Sequence, residues 1–122
     1  MGNRILVVDD YRDTADTLAR LIRALGHEAT VAYGGLDALD QLADFEPDMV
    51  LLDIAMPGID GLQTAAAIRQ RFEAMILVAI SGWCRDEDKR RAYAAGFDRH
   101  LSKPVELAEL KDLLGWPSAR PR

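Results

Sequence analysis

Short apolar runs, rich in β-branched residues, alternate along this chain with longer stretches whose apolar residues recur at helical spacing. Ile5-Leu6-Val7-Val8, Met49-Val50-Leu51-Leu52 and residues 75–80 are apolar without interruption. Such runs fit strands buried on both faces rather than strands with one wet face. Weaker strands are expected over 28–32 and 99–102. Between them lie amphipathic stretches. Residues 11–25 carry Leu18, Leu21, Ile22 and Leu25 at helical spacing, with Gly26 as the stop. A second helix presents Leu36, Leu39, Leu42 and Ala43 on one face. A third, over 61–72, follows the turn Met56-Pro57-Gly58 and turns Leu62, Ala65, Ala66 and Phe72 inward. The fourth, 86–95, runs from acidic to basic, as a helix dipole prefers, and ends at Gly96. The fifth covers 105–114. Five strands alternating with five helices predict an α/β fold, a parallel sheet covered on both faces and joined by right-handed crossovers.

With 122 residues, this is one domain, assigned to 1–115 with 116–122 as a tail. Ligands on an open parallel sheet sit beyond the carboxyl ends of its strands, so the residues there decide what the chain can do. Asp9 and Asp10 follow the first strand and Asp53 the third. Ser81-Gly82 follows the fourth, and Lys103-Pro104 follows the fifth. Clustered carboxylates repel one another unless a cation resolves the clash. Hard oxygen ligands at an open edge suit Mg²⁺, which keeps several waters that a phosphoryl group can replace. A carboxylate can also act as a nucleophile toward phosphorus, with Lys103 and the Ser81 hydroxyl neutralising developing charge.

Singly, each residue has an ordinary structural reading. An aspartate pair ahead of a helix can be a cap, Asp53 and Ser81 can be turn residues, and Lys-Pro can be a solvated turn. Their joint placement at successive strand ends favours a shared site. A net charge of −5 disfavours direct nucleic-acid binding. No apolar run approaches the roughly 18 residues of a membrane span, and no secretory leader is evident. A single cysteine, Cys84, suits a reducing cytoplasm. His27 is expected to be a solvated strand-entry residue, and Trp116 to close a helix C-cap.

From about residue 4 to 114 the sequence resembles the receiver domains of bacterial two-component response regulators. The matching segments are Ile5-Leu6-Val7-Val8-Asp9-Asp10, Val50-Leu51-Leu52-Asp53-Ile54-Ala55-Met56-Pro57-Gly58-Ile59-Asp60-Gly61, Ile80-Ser81-Gly82, and Ala95-Gly96-Phe97-Asp98 through Lys103-Pro104. The last of these is most similar to receivers attached to hybrid sensor kinases. The resemblance implies a doubly wound, flavodoxin-like sheet of order 2-1-3-4-5. It implies Asp53 as phosphoacceptor, taking its phosphoryl group from a histidine kinase or a histidine phosphotransfer protein. Mg²⁺ would be held by Asp10, Asp53 and the backbone carbonyl of Ala55, with Asp9 acting through water. Lys103 would pair with Asp53, Pro104 would follow a cis peptide, and Gly61 would be structural. Ser81 would move toward the phosphoryl group and reshape the surface of the fourth helix, fifth strand and fifth helix. The protein would be a monomer or weak dimer that is not itself an enzyme.

Three positions depart from the family's commonest pattern. His100 stands where a tyrosine or phenylalanine usually swings inward with the hydroxyl loop, and it brings a group able to titrate near neutral pH. Ala55 offers no polar side chain to a phosphoryl group. Trp83 is bulky beside the site and is expected to act as a lid. A Mg²⁺-dependent aspartyl-phosphate phosphatase or phosphotransferase is the main rival, but such enzymes carry a second aspartate where this chain has Ala55. A flavin-binding module would need a glycine- and hydroxyl-rich loop where Asp9 and Asp10 stand.

Overall fold

A computed structural model describes residues 3–54, 61–82 and 86–115 of the chain. The elements run β1 (Arg4–Val8), α1 (Arg12–Ala24), β2 (Glu28–Ala32), α2 (Gly35–Phe45), β3 (Met49–Asp53), α3 (Gly61–Arg71), β4 (Ile76–Ser81), α4 (Asp86–Ala94), β5 (Arg99–Ser102) and α5 (Leu107–Leu114). Every strand pair is parallel and the order is β2-β1-β3-β4-β5. The fold is the doubly wound α/β sheet expected from the sequence. The turn 56–58, Trp83, Cys84 and Trp116 lie outside the described residues, so the expectations about them carry over untouched.

Side chains of a strand alternate between the two faces of the sheet, and the alternation assigns each residue to one of two cores. Ile5, Val7, Met49, Leu51, Ile76, Val78, Ile80 and Leu101 pack with α1 and α5. Leu6, Val8, Val50, Leu52, Leu77 and Ala79 pack on the other face with α2, α3 and Ala92 of α4. Because β1, β3 and β4 are covered on both faces, both parities must be apolar, which is why their sequences read as continuous apolar runs.

The helices lie against the sheet through smaller residues than their leucines suggest. In α2 the buried positions are Gly35, Ala38 and Leu42. Leu36, expected inward, is 66% exposed. Leu39 is half-buried and Ala43 is exposed. In α3, Gly61, Thr64, Ala65 and Ile68 face the core, while Ala66 faces solvent and Leu62 and Phe72 are half-buried. In α1, Ala15, Leu18, Ala19 and Ile22 are buried, and Leu21 is 39% exposed. Each stripe keeps the i, i+3, i+4, i+7 spacing. It is rotated toward alanine and glycine because small residues let a helix axis approach the sheet. Gly26 and Gly96 take φ of +95° and +108° just past α1 and α4, the left-handed turn glycine makes without strain.

The amino ends of the strands are closed by directed polar contacts. Asp48 Oδ2 accepts the Arg4 backbone N–H at 2.9 Å. The Arg4 guanidinium donates to the Phe45 carbonyl and lies 4.6 Å from the centroid of its ring. His27 is half-buried and its Nδ1 accepts the Asn3 backbone N–H at 2.9 Å, so the expectation of a merely solvated residue fails. The position just ahead of β2 brings the imidazole against the start of β1, where a main-chain donor needs an acceptor. Arg69 donates to the carbonyls of Glu73, Met75 and Gly96 and to Asp98 Oδ2. The same Asp98 oxygen accepts the Leu77 N–H at 2.9 Å. Arg69 thereby joins the end of α3, the start of β4 and the approach to β5.

Candidate phosphoryl site at the carboxyl edge of the sheet

Strand ladders carry the polar residues to the opposite edge. The Asp9 N–H continues the β1–β2 ladder to the Ala32 carbonyl at 3.1 Å, Ile54 N–H reaches the Ile80 carbonyl at 3.1 Å, and Lys103 N–H reaches the Ser81 carbonyl at 2.8 Å. Asp53 closes β3 and pairs in register with Ile80. By face alternation, Asp9, Asp53 and Lys103 continue the rows of Ile5–Val7, Met49–Leu51 and Leu101, on the α1/α5 side. Ser81 and His100 continue the opposite rows.

Two contact groups follow that division. Lys103 Nζ lies 3.1 Å from Asp9 Oδ2 and 3.1 Å from Asp53 Oδ2, so one ammonium is shared by two carboxylates. Asp9 and Asp53 are only 4% and 5% exposed. Asp9 Oδ1 also accepts the Tyr11 N–H at 2.9 Å. The Asp9 side chain therefore turns back onto the entry to α1, while no side chain caps that helix at Tyr11. Asp10 is exposed and completes a group of three carboxylates with ligand oxygens within 4.8 Å of one another. On the other face, Ser81 Oγ and His100 Nε2 lie 2.9 Å apart.

Electrostatics at this edge are unbalanced toward negative charge. Burial raises the Asp9 carboxyl above its ordinary value of 3.8, and the nearby Asp53 charge adds to that. The Tyr11 N–H and Lys103 pull the other way without cancelling it. Burial pulls Lys103 down, but hydrogen bonds to Asp9 and Asp53 and their charges outweigh it, so Lys103 ends above 10.5. One ammonium holds the group together without neutralising it.

The donor set fits a hard dication. Two oxygens bound to one Mg²⁺ at about 2.1 Å stand at most roughly 4.2 Å apart, so Asp10 and Asp53, with ligand oxygens within 4.8 Å, need only a small contraction to share one, and Asp9 lies close enough to act through water. Ala55, whose carbonyl the resemblance offers as a further ligand, lies outside the described residues. The Lys103–Pro104 peptide is cis. Gly61 sits on the site's floor: a Cβ there would collide with Ile54 Cα and the Asp53 carbonyl. The neighbouring backbone can come this close to Asp53 only past a residue without a side chain. A groove of about 500 Å³ opens beside the cluster, between α1 and the segment after β5, lined by Thr14, Leu18, Leu21, Pro104 and Val105 among others. It is a feature the sequence pattern did not announce.

The structure is thus a doubly wound α/β domain with an acidic cluster at its carboxyl edge and a lysine ion-paired to its central aspartate. Residues 5–115 match the family model described as the response regulator receiver domain. The chain belongs to that family. It resembles the signal receiver domain of a response regulator from Bermanella marisrubri, at 33% identity and TM-score 0.81 over 93% of this chain and 95% of that one. It also resembles the signal receiver domain of a DNA-binding response regulator from Colwellia psychrerythraea, at 29% identity and TM-score 0.85 over 91% and 94%. The chemotaxis protein CheY4 of Vibrio cholerae, 22% identical, shares the fold at TM-score 0.88 over 93% and 97%. Receiver domains are regulatory phosphoacceptors that bind Mg²⁺ at an acidic pocket and interact with histidine kinases or phosphotransfer proteins. Among the described residues, no helix is long and apolar enough to cross a membrane.

Proposed function

We propose that residues 1–115 form a phosphoacceptor switch that takes a phosphoryl group from a phosphohistidine onto Asp53, with 116–122 as a tail. The observation that carries this reading is the shared ammonium: Lys103 Nζ stands 3.1 Å from both Asp9 and Asp53 within a three-carboxylate cluster. An Asp53 oxygen attacks phosphorus, the phosphorus–nitrogen bond of the donor breaks, and its electron pair stays on the imidazole nitrogen. Mg²⁺, held by Asp10, Asp53 and the Ala55 carbonyl with Asp9 through water, would neutralise charge on the transferred group. Lys103 is already within hydrogen-bonding distance of Asp53 and needs only to keep one hand on the product oxygens. Ser81, across the sheet edge, donates to a phosphoryl oxygen and draws the segment after β4 toward the site.

The groove between α1 and the segment after β5 gives the donor somewhere to bind. Its apolar lining suits the side chains of a kinase or phosphotransfer helix, and its border includes Asp9 and Lys103. Output would run through α4, β5 and α5, as a population shift toward a state that the free protein already samples. The single cysteine and a phosphohistidine donor both suit a cytoplasmic setting.

Intact mass after incubation with Mg²⁺ and acetyl phosphate tests the assignment. One phosphoryl group is expected on the wild type and none on Asp53→Asn or on metal-free protein. An adduct that survives Asp53→Asn would reject Asp53 as acceptor.

A further inference from the structure

The contact between Ser81 and His100 has a consequence for phosphorylation that follows from counting protons. Ser81 is 4% exposed, and its Oγ lies 2.9 Å from His100 Nε2. A serine hydroxyl has one proton to donate and two lone pairs with which to accept. Nε2 is either an acceptor or a donor, according to the tautomer. If Nε2 is bare, the Ser81 proton is committed to it. If Nε2 carries hydrogen, it donates to Oγ, and the hydroxyl proton can be given to a different acceptor. A phosphoryl group is rich in acceptors and has no use for a second lone pair, so only the second arrangement lets Ser81 serve His100 and a phosphoryl oxygen together.

The residues sit so that the pair forms within the sheet itself. Ser81 is in register with Ser102, and Ala79 with His100, which makes Ser81 and His100 diagonal neighbours on one face. Phenylalanine, which the family often has at this position, could fill the same space but could not hold the hydroxyl by hydrogen bonding. Histidine adds direction to the contact.

We propose that His100 is a positioning residue for Ser81: in the phosphorylated domain Nε2–H donates to Ser81 Oγ and aims the hydroxyl proton at the phosphoryl group on Asp53. The inference rests on the reading of Asp53 as phosphoacceptor and adds to it a second residue, one that never touches the phosphoryl group. Glutamine at this position would keep an N–H at about the reach of Nε2, whereas phenylalanine would remove it.

The deciding measurement is the ¹⁵N spectrum of the His100 imidazole in wild-type protein, with Mg²⁺ alone and with Mg²⁺ plus beryllofluoride. It is recorded at about pH 8, above the ordinary imidazole range. Intact-mass kinetics with acetyl phosphate accompany it on wild type, His100→Gln and His100→Phe. Nε2 is expected to be protonated in the beryllofluoride complex. His100→Gln is expected to hold its phosphorylated fraction near that of wild type, while His100→Phe loses about fivefold, the scale of one hydrogen bond. A bare Nε2 in the complex, or a His100→Phe variant indistinguishable from wild type while Asp53 still takes the adduct, overturns the role of His100. Absence of the Asp53 adduct from wild type overturns the underlying phosphoacceptor reading instead. The spectrum needs no variant, so a misfolded mutant leaves the question decidable.

Discussion

The two ends of this one sheet are built on opposite principles. At the amino ends of the strands, charge is matched and spread over main-chain partners. Arg69 reaches three carbonyls and the Asp98 carboxylate, and Asp98 and Asp48 each accept a strand N–H. At the carboxyl ends, three carboxylates crowd together and a single lysine pairs with two of them. The first arrangement pairs its charged groups with directed partners, although the buried Nε of Arg69 has none among the described residues. The second leaves negative charge in excess, and burial, with the Asp53 charge adding to it, raises the Asp9 carboxyl. The lesson is that electrostatic strain can be concentrated at one edge of a sheet when the other edge is closed, so that binding at the strained edge need not loosen the sheet.

Arg69→Ala breaks the comparison hardest. Arg69 and Asp98 side chains are only 18% and 14% exposed in their ion pair, so the variant strands a largely buried carboxylate and leaves three carbonyls without that donor. Loss of about 3 kcal/mol is expected, at the lower end of the range for breaking a buried pair because some solvent reaches it. Denaturant titration measures it. If the two ends are independent, the folded fraction keeps its Mg²⁺ affinity and its Asp53 phosphorylation within about twofold. A parallel collapse of Mg²⁺ affinity in folded protein would show that the ends are coupled.

This division was half legible in the sequence. Strands β1, β3 and β4 announce themselves because burial on both faces demands apolar residues at both parities. Asp9, Asp10, Asp53, Ser81 and Lys103 are legible as an edge because each follows a strand. The helix rotations were not, since α2 and α3 face the sheet through Gly35, Ala38, Gly61 and Ala65, residues whose value is small size and which hydrophobic periodicity undervalues. Arg69 was invisible for a different reason. In the last turn of α3 it reads as a dipole partner, and its acceptors are mostly carbonyls, which no side-chain pattern encodes. The sharing of Lys103 between Asp9 and Asp53 lies between these cases: the residue types were evident, but their common facing toward α1 and α5 appears only once register is known.

Asp9→Asn sharpens the comparison by reversing the usual sign of a buried-charge mutation. Folding raises the Asp9 value above 3.8, so the native state binds this proton more tightly than the unfolded chain and ionised Asp9 opposes folding at neutral pH. In metal-free protein at neutral pH the asparagine variant should melt above wild type. The gap should close as pH falls through the folded Asp9 value, where wild type becomes neutral too. Lys103 has the complementary sign. Its value lies above 10.5, so its contribution is complete below that and is lost as pH rises through the folded value. Added Mg²⁺ should stabilise wild type more than Asp9→Asn, bringing the two melting curves together or crossing them. A destabilised variant in the absence of metal would mean that the Lys103 pairing outweighs burial, and that the carboxyl edge is matched after all.

The smallest effect belongs to a charge pair at the closed end. Arg4 and Glu28 stand 3.3 Å apart with side chains 42% and 66% exposed, where solvent screening leaves little net attraction. Glu28→Ala should therefore change stability by less than about 0.5 kcal/mol. Arg4→Ala should cost about 1 kcal/mol, because it removes the donor to the Phe45 carbonyl and the cation over its ring. Denaturant midpoints at low and high salt separate the two contributions, since only the Glu28 term should fade with salt. If the two substitutions cost the same, the amino end is held by its tally of opposite charges. If Arg4 costs more, as its contacts imply, what closes that end is the direction of its donors toward main-chain acceptors, and matched charge there is a by-product.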